Sequence, residues 1–158
     1  MPILKTVEEV DAWLTGAGWH PGRDVGDQAV AEAVTKVVDQ YRAQGLELTP
    51  SAPALAFLRE YLDLKALIGT EPEEFAVFTP WLTNAGDAEE LAELAGHLGT
   101  ELFPVALDTF DGAVVLVDPS DRFFYMHWSG NYYLGQGKYG GIIGWQSADY
   151  EDAEDYYV

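Results

Sequence analysis

The segment LFPVALDTFDGAVVLVDPSDRFFYMHW, residues 102–128, decides the fold class of this chain. It contains three apolar or aromatic runs, which the turn sequences Asp-Gly and Asp-Pro-Ser-Asp separate. Short apolar runs joined by such turns are typical of β-hairpins, in which neighbouring strands pair antiparallel. The segment therefore predicts an antiparallel β-meander, to which residues 132–134 add one more strand after a turn at Gly130-Asn131.

The sequence before this meander has apolar residues three and four positions apart, which is the spacing of amphipathic helices. Thr6 and Glu9 have the spacing of a capping box, in which each side chain bonds the backbone of the other residue, and they predict the start of a first helix. Asp24 or Asp27 is expected to cap a second helix. A third helix is expected to begin near residues 49–51, because proline is tolerated in a first turn.

The rest of the chain completes the predicted fold class. Residues 75–78 predict a short strand, and Asp87 is expected to cap a fourth helix. After the meander the sequence is rich in glycine, so residues 141–145 are not expected to open a helix, and residues 149–158 predict a mobile acidic tail. We therefore predict an α+β fold, with N-terminal helices packed on a C-terminal antiparallel β-meander, in one domain over residues 1–148.

The charge of the chain limits its partners. Its 158 residues include 27 acidic and 8 basic side chains, which give a formal net charge of −19. This charge disfavours a phosphate backbone and favours a basic protein as partner, although a halophilic or merely well-solvated surface would have the same composition. The absence of cysteine fits a reducing compartment, and the N-terminus shows neither a secretory signal nor a membrane-spanning run. A cytoplasmic protein that binds neither nucleic acid nor membrane is expected.

No short motif predicts a catalytic residue, a cofactor or a metal. The glycines of GQGKYG, residues 135–140, have the spacing of a dinucleotide fingerprint, but too few residues follow for the βαβ unit that this motif requires. No histidine has a second ligand at the spacing of a local zinc site, and no serine lies in a GxSxG turn. An enzyme with a carboxylate site assembled from distant residues is the least favoured alternative.

The segment GWHPGR, residues 18–23, predicts a packed corner between the first two helices. A bulky ring at Trp19 gives the turn an apolar surface, and the guanidinium of Arg23 is expected to pair with a carboxylate. We expect the corner to brace the first two helices against the sheet. Its residues with an expected structural role are Gly18, Trp19, Pro21, Gly22 and Arg23.

With this corner, the chain resembles the SUKH superfamily of bacterial immunity proteins, specifically its third subgroup. The pattern GWxPGR is the hallmark of that subgroup, and LFPV at 102–105 and VVLVD at 114–118 follow it in the order of the family. The similarity covers about residues 4–130. The chain departs from the family pattern at residues 62–64, where members have Gly-Gly, and after the meander, where members tend to end in a short helix.

The resemblance implies a SUKH-type fold and a non-enzymatic protein that binds and neutralises a cognate polymorphic toxin. Many toxins in such systems are nucleases or deaminases, which need basic grooves, and the net charge of −19 agrees with an acidic surface that covers such a groove. A monomer or weak homodimer without a cofactor is expected. The alternative is an adaptor of the same fold that binds another cellular protein.

The C-terminal third of the chain is predicted to bind the partner, because it interleaves carboxylates with tyrosines. Negative charge combined with aromatic anchors suits a basic protein groove. The alternative is a solvated tail without a partner. The candidate partner-binding residues are Tyr132, Tyr133, Asp149, Tyr150, Glu151, Asp152, Glu154, Asp155 and Tyr156.

Overall fold

The computed structural model describes residues 3–68, 73–81, 84–147 and 150–158. Within these ranges the helices are α1 (Val7–Thr15), α2 (Asp27–Ala43), α3 (Ala52–Tyr61), α4 (Asp87–Leu98), α5 (Gly137–Ser147) and a short 3₁₀ helix (Ala153–Tyr156). The strands are β1 (Lys65–Leu67), β2 (Phe75–Val77), β3 (Phe103–Asp108), β4 (Val114–Val117), β5 (Arg122–His127), β6 (Gly130–Gln136) and β7 (Glu151–Asp152). None of the helices in the described residues is long and apolar enough to cross a membrane.

The strands form one sheet in which each strand pairs antiparallel with the next along the chain. This sheet confirms the predicted α+β fold, with helices mostly before the meander of β3 to β6. The sequence does not predict β1, because only Ala66 of its three residues is buried and such a strand is too short to show a period.

Both faces of the sheet are covered, as adjacent residues of β5 show. Phe123 packs on Phe57 of α3, with ring centroids 5.4 Å apart. Phe124 points to the opposite face, because successive side chains of a strand alternate. It contacts Tyr156 of the 3₁₀ helix, with centroids 6.3 Å apart. The helices therefore pack on one face here, and the C-terminal segment packs on the other.

Two of the predicted helix caps are wrong. At the start of α2 the cap position is Gly26, and Asp24 accepts a hydrogen bond from the Gly26 N–H at 2.8 Å instead of capping the helix. At the start of α4 the cap position is Gly86, and the carboxylate of Asp87 accepts from the N–H of the preceding Asn84 at 2.8 Å. Both glycines have φ above 90°, a conformation that side chains disfavour, so the acidic residues bond the adjacent turns.

The capping box at the start of α1 forms in part. The Thr6 hydroxyl accepts from the Glu9 N–H at 3.1 Å, as the spacing predicts. The Glu9 carboxylate accepts from that same hydroxyl at 3.2 Å. Helix α3 begins at Ala52, after residues 49–51, and Ser51 caps it by accepting from the Ala54 N–H.

The prediction that residues 141–145 open no helix is wrong, because α5 spans them. The glycines that suggest a break in the helix are required by close packing. A Cβ atom on Gly141 would lie 2.5 Å from the ring of Phe123, and one on Gly144 would lie 2.0 Å from the carbonyl oxygen of Leu134. Tertiary packing therefore overrides the low helix propensity of glycine here. The chain thus has a helix after the meander, although its glycine-rich sequence there departs from the family pattern.

The C-terminal segment differs from the expected mobile tail. In β7, Glu151 pairs with Tyr133 and Asp152 pairs with Tyr132, so the segment extends the sheet. At its end, the N–H of Val158 donates to the carbonyl oxygen of His97 in α4 at 2.9 Å. The physical reason is that tyrosines flank the carboxylates. The rings of Tyr150, Tyr156 and Tyr157 pack against the core, whereas the carboxylates face solvent.

The corner at residues 18–23 connects the first two helices to α3 and α5. Trp19 is buried, and its indole N–H donates to Oε2 of Glu60 at 3.0 Å. Lys138 of α5 donates to Oε1 of the same carboxylate at 2.5 Å. Arg23 donates to the carbonyl oxygens of Glu60 and Leu62 at 2.5 and 2.7 Å. The expected carboxylate partner of Arg23 is thus wrong: its guanidinium bonds the C-terminal carbonyls of α3, which lack partners within the helix.

The backbone of this region requires left-handed conformations at several positions. Gly18 and Gly22 have φ of 108° and 77°, which glycine adopts without a steric penalty. Asp63, in the segment where family members have Gly-Gly, has φ of 68°. Aspartate is one of the few other residues that visit this region, so the departure from the family pattern preserves a left-handed backbone at Asp63.

Candidate partner-binding surface

The predicted partner-binding residues that the structure describes lie together at the β6–β7 edge of the sheet. Tyr132 stacks near Tyr150 with ring centroids 5.1 Å apart, and Tyr133 lies 4.1 Å from Tyr156. The exposed carboxylates of this C-terminal edge are those of Glu151, Asp152, Glu154 and Asp155. Asp149 lies outside the described residues.

Strand geometry divides these residues between two faces of the sheet. Tyr132 and Tyr133 are adjacent in β6, so their rings point in opposite directions. Burial raises the pKa of Tyr150 to about 12, with the Asp108 carboxylate as a second cause. Burial also raises the pKa of Tyr156 to about 12, and Glu151, which accepts a hydrogen bond from its hydroxyl, adds to the shift. Both phenols are therefore neutral at pH 7, and the negative charge of this edge comes from its carboxylates.

The structure adds a second group of residues that the sequence did not predict, at the tips of two hairpins. Phe110 lies in the turn between β3 and β4, and Trp128 lies in the turn between β5 and β6. Their side chains are 67% and 81% exposed, which is unusual for rings of this size. Asp111 joins the turns, because it accepts from the Trp128 indole N–H at 3.3 Å. We call Phe110, Asp111, His127, Trp128 and Ser129 the hairpin end.

A chain of hydrogen bonds holds the hairpin end in shape. Nδ1 of His127 accepts from the Ser129 N–H at 3.1 Å, and the Ser129 hydroxyl lies 2.7 Å from the same nitrogen. This pattern assigns the ring proton to Nε2, which donates to Asp111 at 2.8 Å. The hydroxyls of Ser129 and Tyr132 lie 2.8 Å apart. Ser129, His127 and Asp111 are the residue types of a serine hydrolase triad. However, Ser129 is two residues from His127, and its own backbone N–H occupies Nδ1 of that ring. The hydrogen bonds therefore fix the turn.

A pocket of about 130 Å³ lies between the hairpin end and the tyrosines of the C-terminal edge. Its lining includes the carboxylate of Asp108, which is only 4% exposed and accepts from the Tyr125 hydroxyl and, at 2.8 Å, from the Asp111 N–H. Gln146 of α5, 2% exposed, also lines it. The pocket therefore connects the surface that the sequence predicts with the one that it does not.

Carboxylates of α4 extend the acidic surface beyond the hairpin end. A groove of about 300 Å³ runs between Glu90 and Glu93 on α4 and Trp128 and Asn131 on the β5–β6 hairpin. Trp128 thus lies between Asp111 on one side and two carboxylates on the other. An exposed aromatic ring surrounded by negative charge is the composition of a contact surface for a basic protein.

The described residues contain no cluster of three or more side chains able to hold a metal ion. The arrangement can instead bind a protein surface, through aromatic contacts and carboxylates.

Comparison with known proteins finds one match. The family model described as SUKH-3 immunity protein matches residues 6–142, which is most of the chain and includes the corner, the meander and the first half of α5. Neither the search of curated proteins nor the search of solved structures gives a match.

Proposed function

Since the chain belongs to the SUKH-3 immunity protein family, we propose that it binds a cognate polymorphic toxin in the cytoplasm and neutralises it without catalysing a reaction. The toxin is a nuclease or a deaminase with a basic cleft for nucleic acid. The immunity protein acts as a monomer or weak homodimer and covers that cleft with an acidic surface.

The net charge of −19 supports this mechanism. Proteins of opposite charge attract each other over a Debye length, which raises the association rate constant by a factor of about 10 to 1000 at low salt. An immunity protein must capture its toxin before the toxin reaches nucleic acid, so fast association is the property that it needs. The same charge repels phosphate groups, and the immunity protein therefore does not compete for the substrate itself.

The observation that supports the proposal is that the predicted tyrosines and the described carboxylates among the predicted residues lie at one edge of the sheet. Tyr132 and Tyr150 form one aromatic pair and Tyr133 and Tyr156 form another, with exposed carboxylates beside them. Rigid aromatic rings supply contact area at a small cost in conformational entropy, and the carboxylates supply attraction and orientation.

Charge reversal at this edge tests the proposal. For a toxin domain encoded beside this chain, the double variant Glu154→Lys and Asp155→Lys should lower the association rate constant by about tenfold at low salt. The matched control reverses Glu8 and Glu32, which are exposed on α1 and α2. The control changes the net charge equally but leaves the edge intact.

Association is measured by stopped-flow fluorescence at several salt concentrations. A larger effect of the edge variant than of the control supports binding through this edge. Equal effects of the two variants would show that only net charge matters, and an unchanged rate for both would contradict electrostatic capture. If no complex forms with any neighbouring gene product, the adaptor function takes the place of the immunity function.

A further inference from the structure

The pocket of about 130 Å³ between the hairpin end and β6 has the features of a binding site for one cationic side chain. Resting on the proposed function, we propose that this pocket receives the guanidinium group of an arginine that the toxin presents from its basic cleft. Five features of the structure support this assignment: the size of the pocket, its aromatic walls, its acceptors, the absence of a cation of its own and the exposed rings beside it.

The size and walls of the pocket suit a planar cation. A cavity needs about 10–15 Å³ to hold one water molecule. The pocket, at about 130 Å³, therefore has room for a group of several heavy atoms. The rings of Tyr125, Tyr132 and Tyr150 form a continuous wall, with centroids 5.4 Å apart for Tyr125 and Tyr150 and 5.1 Å apart for Tyr132 and Tyr150. Aromatic faces attract cations, and guanidinium groups in addition stack on them.

The acceptors of the pocket include the side-chain amide of a buried residue. Gln146 is 2% exposed and lines the pocket. The oxygen of its amide accepts hydrogen bonds, so a donor that enters the pocket can bond to it. The carboxylates of Asp108 and Asp111 line the same space and supply further acceptors.

Among the described residues that line the pocket, none is a counter-ion for its carboxylates. None of the described residues that line it is lysine or arginine, and the Nε2–H of His127 is already donated to Asp111. Asp108 is nearly inaccessible to solvent, and a buried carboxylate is stabilised by a cation within contact distance. Arginine fits better than lysine, because its fork of donors matches a carboxylate and an amide at once.

The rings beside the pocket supply a contact for the rest of the arginine side chain. Phe110 also lines the pocket, and Trp128 lies in the same turn network through its bond to Asp111. Both are largely exposed, so their faces are free to pack on the methylene stem of an incoming arginine. Exposed aromatic residues beside a pocket lined by carboxylates are typical of an interface hot spot.

The test uses N-acetyl-arginine methylamide as the probe and the full chain as the protein. Titration followed by ¹H–¹⁵N NMR should give saturable shifts of the Trp128 indole N–H and the Gln146 side-chain amide. Because a hydrogen bond to a charged group contributes about 1.5–3 kcal/mol, Gln146→Leu and Asp111→Asn should each weaken binding about tenfold or more. The control Glu32→Gln, on the exposed face of α2, should leave binding unchanged.

Several outcomes would overturn the proposal: no saturable shift, equal binding by all variants, or equal binding of N-acetyl-lysine methylamide. Where Gln146→Leu or Asp111→Asn fails to fold, Phe110→Ala serves instead, because this residue lines the pocket and is 67% exposed. Loss of affinity supports the pocket, and unchanged affinity contradicts it.

A second measurement separates the pocket from the proposed function. If the toxin binds Gln146→Leu and Asp111→Asn as tightly as the parent chain, the pocket is not its site, although the immunity function holds. If the probe binds and no toxin does, the pocket holds and the immunity function fails.

Discussion

Two glycine-to-alanine substitutions should change stability in opposite directions, although both lie in helices. In α5, a Cβ at Gly144 would lie 2.0 Å from the carbonyl oxygen of Leu134, and it would have to retreat by about 1.4 Å to reach ordinary contact at 3.4 Å. The obstacle is backbone, so no side-chain rotation relieves it. Overpacking of this kind costs up to about 3 kcal/mol, and the better helix propensity of alanine returns about 1 kcal/mol. We expect Gly144→Ala to lower the free energy of unfolding by about 2 kcal/mol.

The matched control is Gly96→Ala in α4. A Cβ at Gly96 would meet nothing within 4 Å, so only the gain in helix propensity remains, and stability should rise by about 1 kcal/mol. Urea unfolding followed by circular dichroism and tryptophan fluorescence measures both values, with equal m-values as the check for two-state behaviour. If Gly144→Ala were as stable as Gly96→Ala, the close contact of α5 with β6 would not exist, and the explanation of the glycine-rich segment would be wrong.

Two further substitutions test the corner and a buried carboxyl. Trp19→Ala should lower the free energy of unfolding by about 3 kcal/mol, because the ring is 8% exposed and its loss leaves a cavity. Its control, Trp128→Ala, should change the free energy of unfolding by less than about 0.5 kcal/mol, because Trp128 is 81% exposed. Urea unfolding measures both values, and similar losses would contradict the assigned burial. Burial raises the pKa of the Asp87 carboxyl above its ordinary value of 3.8. The native state therefore binds the carboxyl proton more tightly than the unfolded state does. For this reason the contribution of Asp87 to stability rises as the pH falls through the native pKa toward 3.8. The stability of Asp87→Asn relative to the parent should therefore be more favourable at pH 7 than at pH 3, and a difference independent of pH, measured by unfolding at both values, would contradict the shift.

The fold was largely predictable because its signals are local. The meander follows from apolar runs and turn sequences, and α4 ends at Gly99, which has φ of 64° as a helix-ending glycine should. Helix α5 was not predictable in the same way. Glycine lowers helix propensity in any isolated segment, and only the distance from Gly144 to Leu134 shows why glycine is needed there. This contact depends on how α5 packs on β6, so the sequence of α5 alone does not predict it.

The candidate site was predictable in part for the same reason. The tyrosines and carboxylates of the C-terminal edge stand out by composition, whereas the hairpin end depends on which turns the sheet brings together. One signal was available: an aromatic residue in a two-residue hairpin turn, as at Trp128, has no sheet face on which to be buried. The bond between Asp111 and His127 could not be predicted, because it joins turns of different hairpins.

The residues that stabilise the fold differ from those of the proposed binding surface. Trp19, Arg23 and Lys138 bond to residues at the end of α3 and hold the helices together. Phe110 and Trp128 project from turns whose backbone the sheet fixes, and their exposed rings contribute little to the core. On the proposed function, substitutions at the two exposed rings should therefore change toxin binding at a small cost in stability, whereas substitutions at the corner should lower stability without altering the proposed binding surface.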